Sequence, residues 1–261
     1  MTDQTIRFDD GASYENMMGR WSVLVGERFL DWINVPNGSR WLDIGCGNGA
    51  FTELLVERCQ PSDVQAFDPS AAQLAYARNR LPASAPVTWA EADAMRLPVP
   101  DASSDAAVMA LVLFFVPEPA VGVAEMYRVV RPGGVVAAYH WDVIGEGFPF
   151  AVITAEMREF GVQALLAPSF AASTIEASTA LWQAAGLQQV RTCQITVQRR
   201  FESFDQFWNS AEPSNTLRPM FEAMTVEARD ILKSNVRRRL QADDGPLTVC
   251  ARANAVCGVK P

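Results

Sequence analysis

Hydrophobic positions along this chain alternate between two kinds of pattern. The segments 41–44 and 64–67, each broken by one polar residue, read as short strands, and a continuous apolar run from Asp105 to Phe115 and the segment 135–139 read as strands buried on both faces. Between them apolar residues recur at helical spacing. Met18, Trp21, Val25, Phe29 and Trp32 precede the first run, and Leu74, Ala77 and Leu81 follow a Ser70–Gln73 capping box. A helix is predicted over 117–130, and Arg131-Pro132-Gly133-Gly134 is predicted to turn the chain back into the next strand. Strand and helix alternate throughout, which predicts an α/β fold with a doubly wound, mostly parallel sheet.

After Trp141 the pattern changes. Gly145 to Phe150 interrupts it, and a helix is predicted over 151–165. Ser173 and Glu176 have capping-box spacing for another helix that closes at Gly186. Residues 190–198 alternate as a strand, 203–240 are nearly all helical in pattern, and 247–256 return as a last strand. With the short apolar run 87–89, this gives seven strands.

The chemistry concentrates in Trp41-Leu42-Asp43-Ile44-Gly45-Cys46-Gly47-Asn48-Gly49-Ala50, where an apolar strand runs straight into a glycine turn. Such a turn lets a nucleotide-like ligand lie against the main chain and the helix that follows. Gly45, Gly47 and Ala50 also satisfy the dinucleotide pattern. Asp43 argues for a ligand without phosphate that brings an amine or hydroxyls, because pyrophosphate at this turn favours positive potential. A second strand, Val64-Gln65-Ala66-Phe67-Asp68-Pro69, ends in an acid placed to meet ribose hydroxyls, and Glu91-Ala92-Asp93-Ala94-Met95-Arg96-Leu97-Pro98 offers a carboxylate and backbone N–H groups to a purine edge.

In this combination, with Glu125-Met126-Tyr127-Arg128-Val129-Val130-Arg131-Pro132-Gly133-Gly134, residues 41–142 resemble the class I S-adenosylmethionine-dependent methyltransferases, near the ubiquinone and menaquinone biosynthesis group. The resemblance implies a Rossmann-like seven-stranded sheet with a helical cap and lid. It also implies S-adenosyl-L-methionine as cofactor and a small-molecule acceptor methylated on O, N or C without a metal. Asp43 and the turn Gly45, Cys46, Gly47, Asn48 and Gly49 would hold the amino-acid end of the cofactor. Asp68 and Pro69 would border the ribose, Asp93, Ala94 and Met95 the adenine, and Leu111 the methionine moiety. Arg20, in an entry helix, would pair with the cofactor carboxylate through a bidentate fork. The organisation expected is a single domain: entry helices in 1–36, a cofactor core in 37–145, helices and the sixth strand in 146–202, a helical lid in 203–245 and the last strand in 246–261. Aromatic and Met side chains of the lid, the entry helix and the ends of the fourth and fifth strands would wall a pocket for an apolar or planar acceptor. Tyr14, Trp21, Phe114 and Trp141 would be the rings near a sulfonium.

His140, the only histidine, follows the fifth strand and is the candidate general base, with Tyr14 as a second. A nicotinamide-dependent oxidoreductase and a non-catalytic cofactor-binding module are the alternative readings. The former lacks a Tyr-x-x-x-Lys pair here. A net charge of −8, from 22 basic and 30 acidic residues, argues against nucleic acid as partner. Five cysteines without C-x-x-C spacing suggest neither a zinc cluster nor a disulfide framework and fit the cytoplasm. No apolar run is long enough to span a bilayer.

Overall fold

The computed structural model describes residues 18–163, 166–212, 214 and 216–261. Helix α1 (Arg20–Ile33) leads into β1 (Arg40–Ile44), α2 (Ala50–Cys59), β2 (Asp63–Asp68), α3 (Ala71–Ala77) and β3 (Val87–Glu91). Then come β4 (Ser104–Ala110), α4 (Pro119–Val129) and β5 (Val130–Trp141). The remainder contains α5 (Ala151–Glu159), α6 (Ile175–Ala184), β6 (Gln188–Phe201), α7 (Phe204–Ala211), α8 (Arg218–Glu222), α9 (Val226–Arg239) and β7 (Leu247–Val259).

The strands form one sheet in the order β3-β2-β1-β4-β5-β7-β6. The first five are parallel, and β7 runs antiparallel to both β5 and β6. From β1 the chain winds outward to β2 and β3, then returns to place β4 on the other side. That reversal leaves a crevice beyond the carboxyl ends of β1 and β4, where no crossover covers the sheet.

Side chains alternating along each strand divide the interior into two cores. Trp41 and Tyr139 belong to the α1 side, with Trp21, Phe29, Leu55 and the rings of α7 and α8. Leu42 and Ala138 belong to the other, with Val123, Met126 and Trp182. Trp182 is fully buried and donates its indole N–H to the Val136 carbonyl at 2.9 Å, which fixes α6 to β5.

Several elements differ from expectation for local reasons. The helix expected over 151–165 stops at Glu159, with Gly161 in the left-handed region at φ 73°. The cap of α6 is Thr174, whose hydroxyl accepts from the Ala177 N–H, so the start lies one residue past Ser173. Ser70 does cap α3, accepting from Gln73 N–H at 3.3 Å. The predicted turn at 131–134 is an excursion within β5: Val130 pairs with Ser104 and Val135 with Ala106. The intervening chain bonds instead to the residue just after β7, with Gly133 N–H donating to Lys260 O. The region 203–240 divides into three helices.

The helices α7 to α9 are sealed to the core by rings. Phe207 is fully buried, with ring centroids 5.4 Å from Phe201 and 5.7 Å from Phe150. Phe207→Ala should therefore cost about 3 to 5 kcal/mol, as emptied aromatic core sites do. Urea unfolding monitored by tryptophan fluorescence would measure it, and a loss under 1 kcal/mol would show these helices to be loosely attached.

Candidate active site

The crevice holds a cavity of about 560 Å³. Its floor is the glycine turn between β1 and α2. Gly45 and Cys46 both donate backbone N–H groups to the Phe67 carbonyl, at 2.7 and 2.9 Å, which fastens the turn to the end of β2. Gly45 has φ 75°, and a Cβ there would lie 2.5 Å from Val112 Cγ2. Gly47 has φ 51°, but a Cβ would meet no atom within 4 Å, so this stretch of main chain lies open to the cavity.

Asp68, at the end of β2, is 8% exposed. Its Oδ2 accepts from Gly47 N–H and its Oδ1 from Ser70 N–H, both at 2.8 Å. Burial raises its pKa, and those two backbone bonds work against the rise. Asp43 is completely buried beneath the turn. Thr52 donates its hydroxyl to Oδ2 at 2.5 Å, while Oδ1 has no partner. Burial pushes the Asp43 carboxyl up to about 7, with Asp68 adding to the rise and Thr52 opposing it. The Cys46 thiol is pushed up by burial and by the same two carboxylates, which keeps it protonated and unfit as a nucleophile.

From α1, Ser22 reaches the same wall with a buried hydroxyl that has no partner, and the Tyr139 hydroxyl donates to the Ser22 carbonyl at 3.5 Å. The opposite wall is apolar: Ala110 at the end of β4, then Leu111, Val112, Phe115 and Pro117, with Leu166 and Pro168. The apolar run expected as strand over 105–115 leaves the sheet at Ala110. Leu111 takes φ 63°, donating its N–H to Tyr139 O at 2.8 Å, and a 3₁₀ turn over Leu113–Phe115 carries the chain across the crevice.

Of the residues proposed from sequence, the structure brings Asp43, Gly45, Cys46, Gly47, Asn48, Asp68, Pro69 and Leu111 together around the cavity. Gly49 lies just behind, capping α2, where a Cβ would strike Trp89 at 2.9 Å. Asp93, Ala94 and Met95 are not in the wall; Asp93 is exposed and accepts from Met95 N–H at 2.8 Å within its own loop. Arg20 is exposed and also outside the wall. Tyr14 lies outside the described residues.

His140 requires correction as a base. It follows Tyr139 on β5, and because strand side chains alternate, Tyr139 faces the cavity and His140 the other side of the sheet. There it is fully buried, with Nε2 3.1 Å from Ser178 Oγ. The same hydroxyl lies within hydrogen-bond distance of Ala172 O at 3.1 Å and Thr174 O at 2.8 Å. Burial holds the imidazole down to about 4 against the opposing charge of Asp142. A ring so placed cannot reach a reacting group in the cavity.

The expected acceptor wall also changes. No side chain of α7, α8 or α9 lines the cavity, and neither do Trp21, Phe114 or Trp141. Among the described residues, the rings that do are Phe51, Phe115 and Tyr139. Phe115 and Tyr139 end the runs 105–115 and 135–139, so they belong to the wall expected at the ends of the fourth and fifth strands, whereas Phe51, Ser22 and Gln73 were not singled out as lining residues by sequence. Only the break from β4 into a 3₁₀ turn brings Phe115 round, and nothing in the apolar run signals it.

Residues 42–138 match the family model described as a methyltransferase domain. Malonyl-[acyl-carrier protein] O-methyltransferase of Serratia marcescens is 37% identical over 112 residues, 43% of this chain and 42% of the relative. Trans-aconitate 2-methyltransferase of Azoarcus sp. is 41% identical over 105 residues, 40% of each chain. The chain thus spans less than half the length of these curated relatives. Among solved structures, Haemonchus contortus phosphoethanolamine N-methyltransferase 2 with S-adenosyl-L-methionine has a TM-score of 0.58 at 20% identity, covering 95% of this chain and 56% of that one. Among the described residues, no helix is long and apolar enough to cross a membrane.

Asp43 and His140 should give opposed pH dependences of stability. Asp43 ionises near 3.8 when unfolded but near 7 in the fold, so its contribution is complete below about pH 4 and lost as pH rises to about 7. His140 protonates near 6.5 unfolded but near 4 folded, so its contribution is complete above about pH 6.5 and lost as pH falls to about 4. Denaturation across this range should show Asp43→Asn improving relative to wild type as pH rises, and His140→Gln improving as pH falls. Profiles parallel to wild type would contradict both assignments.

Proposed function

We propose that this chain, in which residues 42–138 form a methyltransferase domain, transfers a methyl group from S-adenosyl-L-methionine to a small-molecule acceptor. The observation that carries the reading is the cavity at the β1–β4 reversal, where an open glycine turn lies between two buried carboxylates, Asp43 and Asp68. The residues fit such a cofactor. Asp43 Oδ1 is a buried acceptor still without a partner, suited to an ammonium group, and the main chain at Gly47 has room against it. Asp68 retains lone pairs for ribose hydroxyls beyond the two backbone bonds it accepts.

The bound cofactor supplies an activated methyl on a sulfonium leaving group. This chain supplies alignment and exclusion of water. Leu111, Val112, Phe115 and Leu166 form an apolar wall around the reacting region, and holding two reactants in line can contribute up to about 7 to 11 kcal/mol. With His140 on the other face of the sheet, the acceptor best suited to this cavity is apolar or planar and already carries its nucleophilic electron pair at neutral pH. The five free thiols suit a reducing compartment, and we place the activity in the cytoplasm.

Calorimetric titration with S-adenosylhomocysteine and, separately, NADH tests the reading. Micromolar binding of S-adenosylhomocysteine alone is expected, weakened in Asp68→Ala by about 1.5 to 3 kcal/mol. Preference for NADH, or equal affinity in the variant, would overturn it.

A further inference from the structure

Arg199 occupies an unusual position near the end of β6. Its face of the strand is the one packed on α1, where Ile195, Val197 and Phe201 are buried. The guanidinium carbon lies 4.5 Å from the Phe201 ring centroid and 6.0 Å from that of Trp21. Its Nη1 is buried without a hydrogen-bond partner. Burial lowers the Arg199 pKa, and the positive charge of Arg20 at the start of α1 lowers it further. Neither arginine forms an ion pair among the described residues, although acids outnumber bases in the chain and Arg40 and Arg252 pair with Asp105 and Asp142.

A desolvated guanidinium N–H with no acceptor is costly, and a second positive charge beside it adds to the cost. Stacking on two rings offsets only part of this. An oxyanion between the two arginines would remove both penalties, since the planar fork of a guanidinium matches two oxygens. The location connects it to the cavity. Because β7 is antiparallel to both neighbours, β6 runs with β5, so Arg199 stands at the same carboxyl edge of the sheet as the cavity. Along α1, Trp21, whose ring faces the Arg199 guanidinium, directly precedes Ser22, which lines the cavity.

We propose that Arg20 and Arg199, backed by Trp21 and Phe201, form an oxyanion subsite that takes a carboxylate or phosphate at the end of the acceptor remote from its reacting atom. Calling that molecule the acceptor rests on the methyl-transfer reading; the oxyanion site does not.

Titration of the full chain with benzoate, phenyl phosphate and benzamide, aromatic probes differing in charge, tests this. Benzoate or phenyl phosphate should bind and benzamide should not, and the tighter anion names the acceptor's group. Arg199→Gln should weaken that binding roughly tenfold or more, and Arg199→Lys by less. S-adenosylhomocysteine affinity should be unchanged in both variants, which also reports an intact fold. Benzoate and phenyl phosphate binding no better than benzamide, or as well to Arg199→Gln as to wild type, would overturn the subsite. Anion binding without any S-adenosylhomocysteine binding would support the subsite and overturn the methyl-transfer reading instead.

Discussion

The site depends on how the end of β2 grips the turn after β1. Phe67 offers one carbonyl to two consecutive N–H groups, and Asp68 reaches back to a third at Gly47. Without those bonds a loop with three glycines would sample many conformations, because glycine restricts the backbone least. With them the turn has one shape, its open side facing the crevice. Parallel pairing of β1 with β2 brings this about, since Asp43 pairs with Ala66 and Ile44 with Phe67, and the two strands end side by side.

The same sheet geometry separates two neighbours in sequence. Tyr139 and His140 differ by one position on β5, and the two-residue period sends one into the cavity wall and the other beneath α6. Burial then acts on titratable groups of both faces in opposite directions. It lifts the Asp43 carboxyl and depresses the His140 imidazole, because in each case the neutral form is the one tolerated in the interior.

Strand positions and the glycine turn were legible in the sequence because they rest on short-range patterns: buried apolar runs, φ above zero at glycines, and Ser70 capping α3. Asp43 and Asp68 were legible for the same reason, as each ends or nearly ends a strand. His140 was misread because being last on a strand says nothing about face; that required the register with β7, where it pairs with Asn254. The rings of α7 and α8 were misread as pocket walls because an aromatic residue at helical spacing looks alike whether it meets a ligand or Phe201. Arg199 could not be singled out at all, since its burial against α1 without an ion-pair partner among the described residues is a tertiary feature.

Leu111 shows two demands meeting at a single residue. Its left-handed backbone costs about 1 to 2 kcal/mol relative to ordinary helical or extended geometry, and a glycine would adopt it freely. A glycine would also leave the apolar wall open at the point where β4 gives way to the 3₁₀ turn. The hydrogen bond from Leu111 to the Tyr139 carbonyl holds the leucine in place. Local backbone ease and closure of the cavity therefore favour different side chains here, and the leucine marks the spot where a more relaxed chain would be a leakier one.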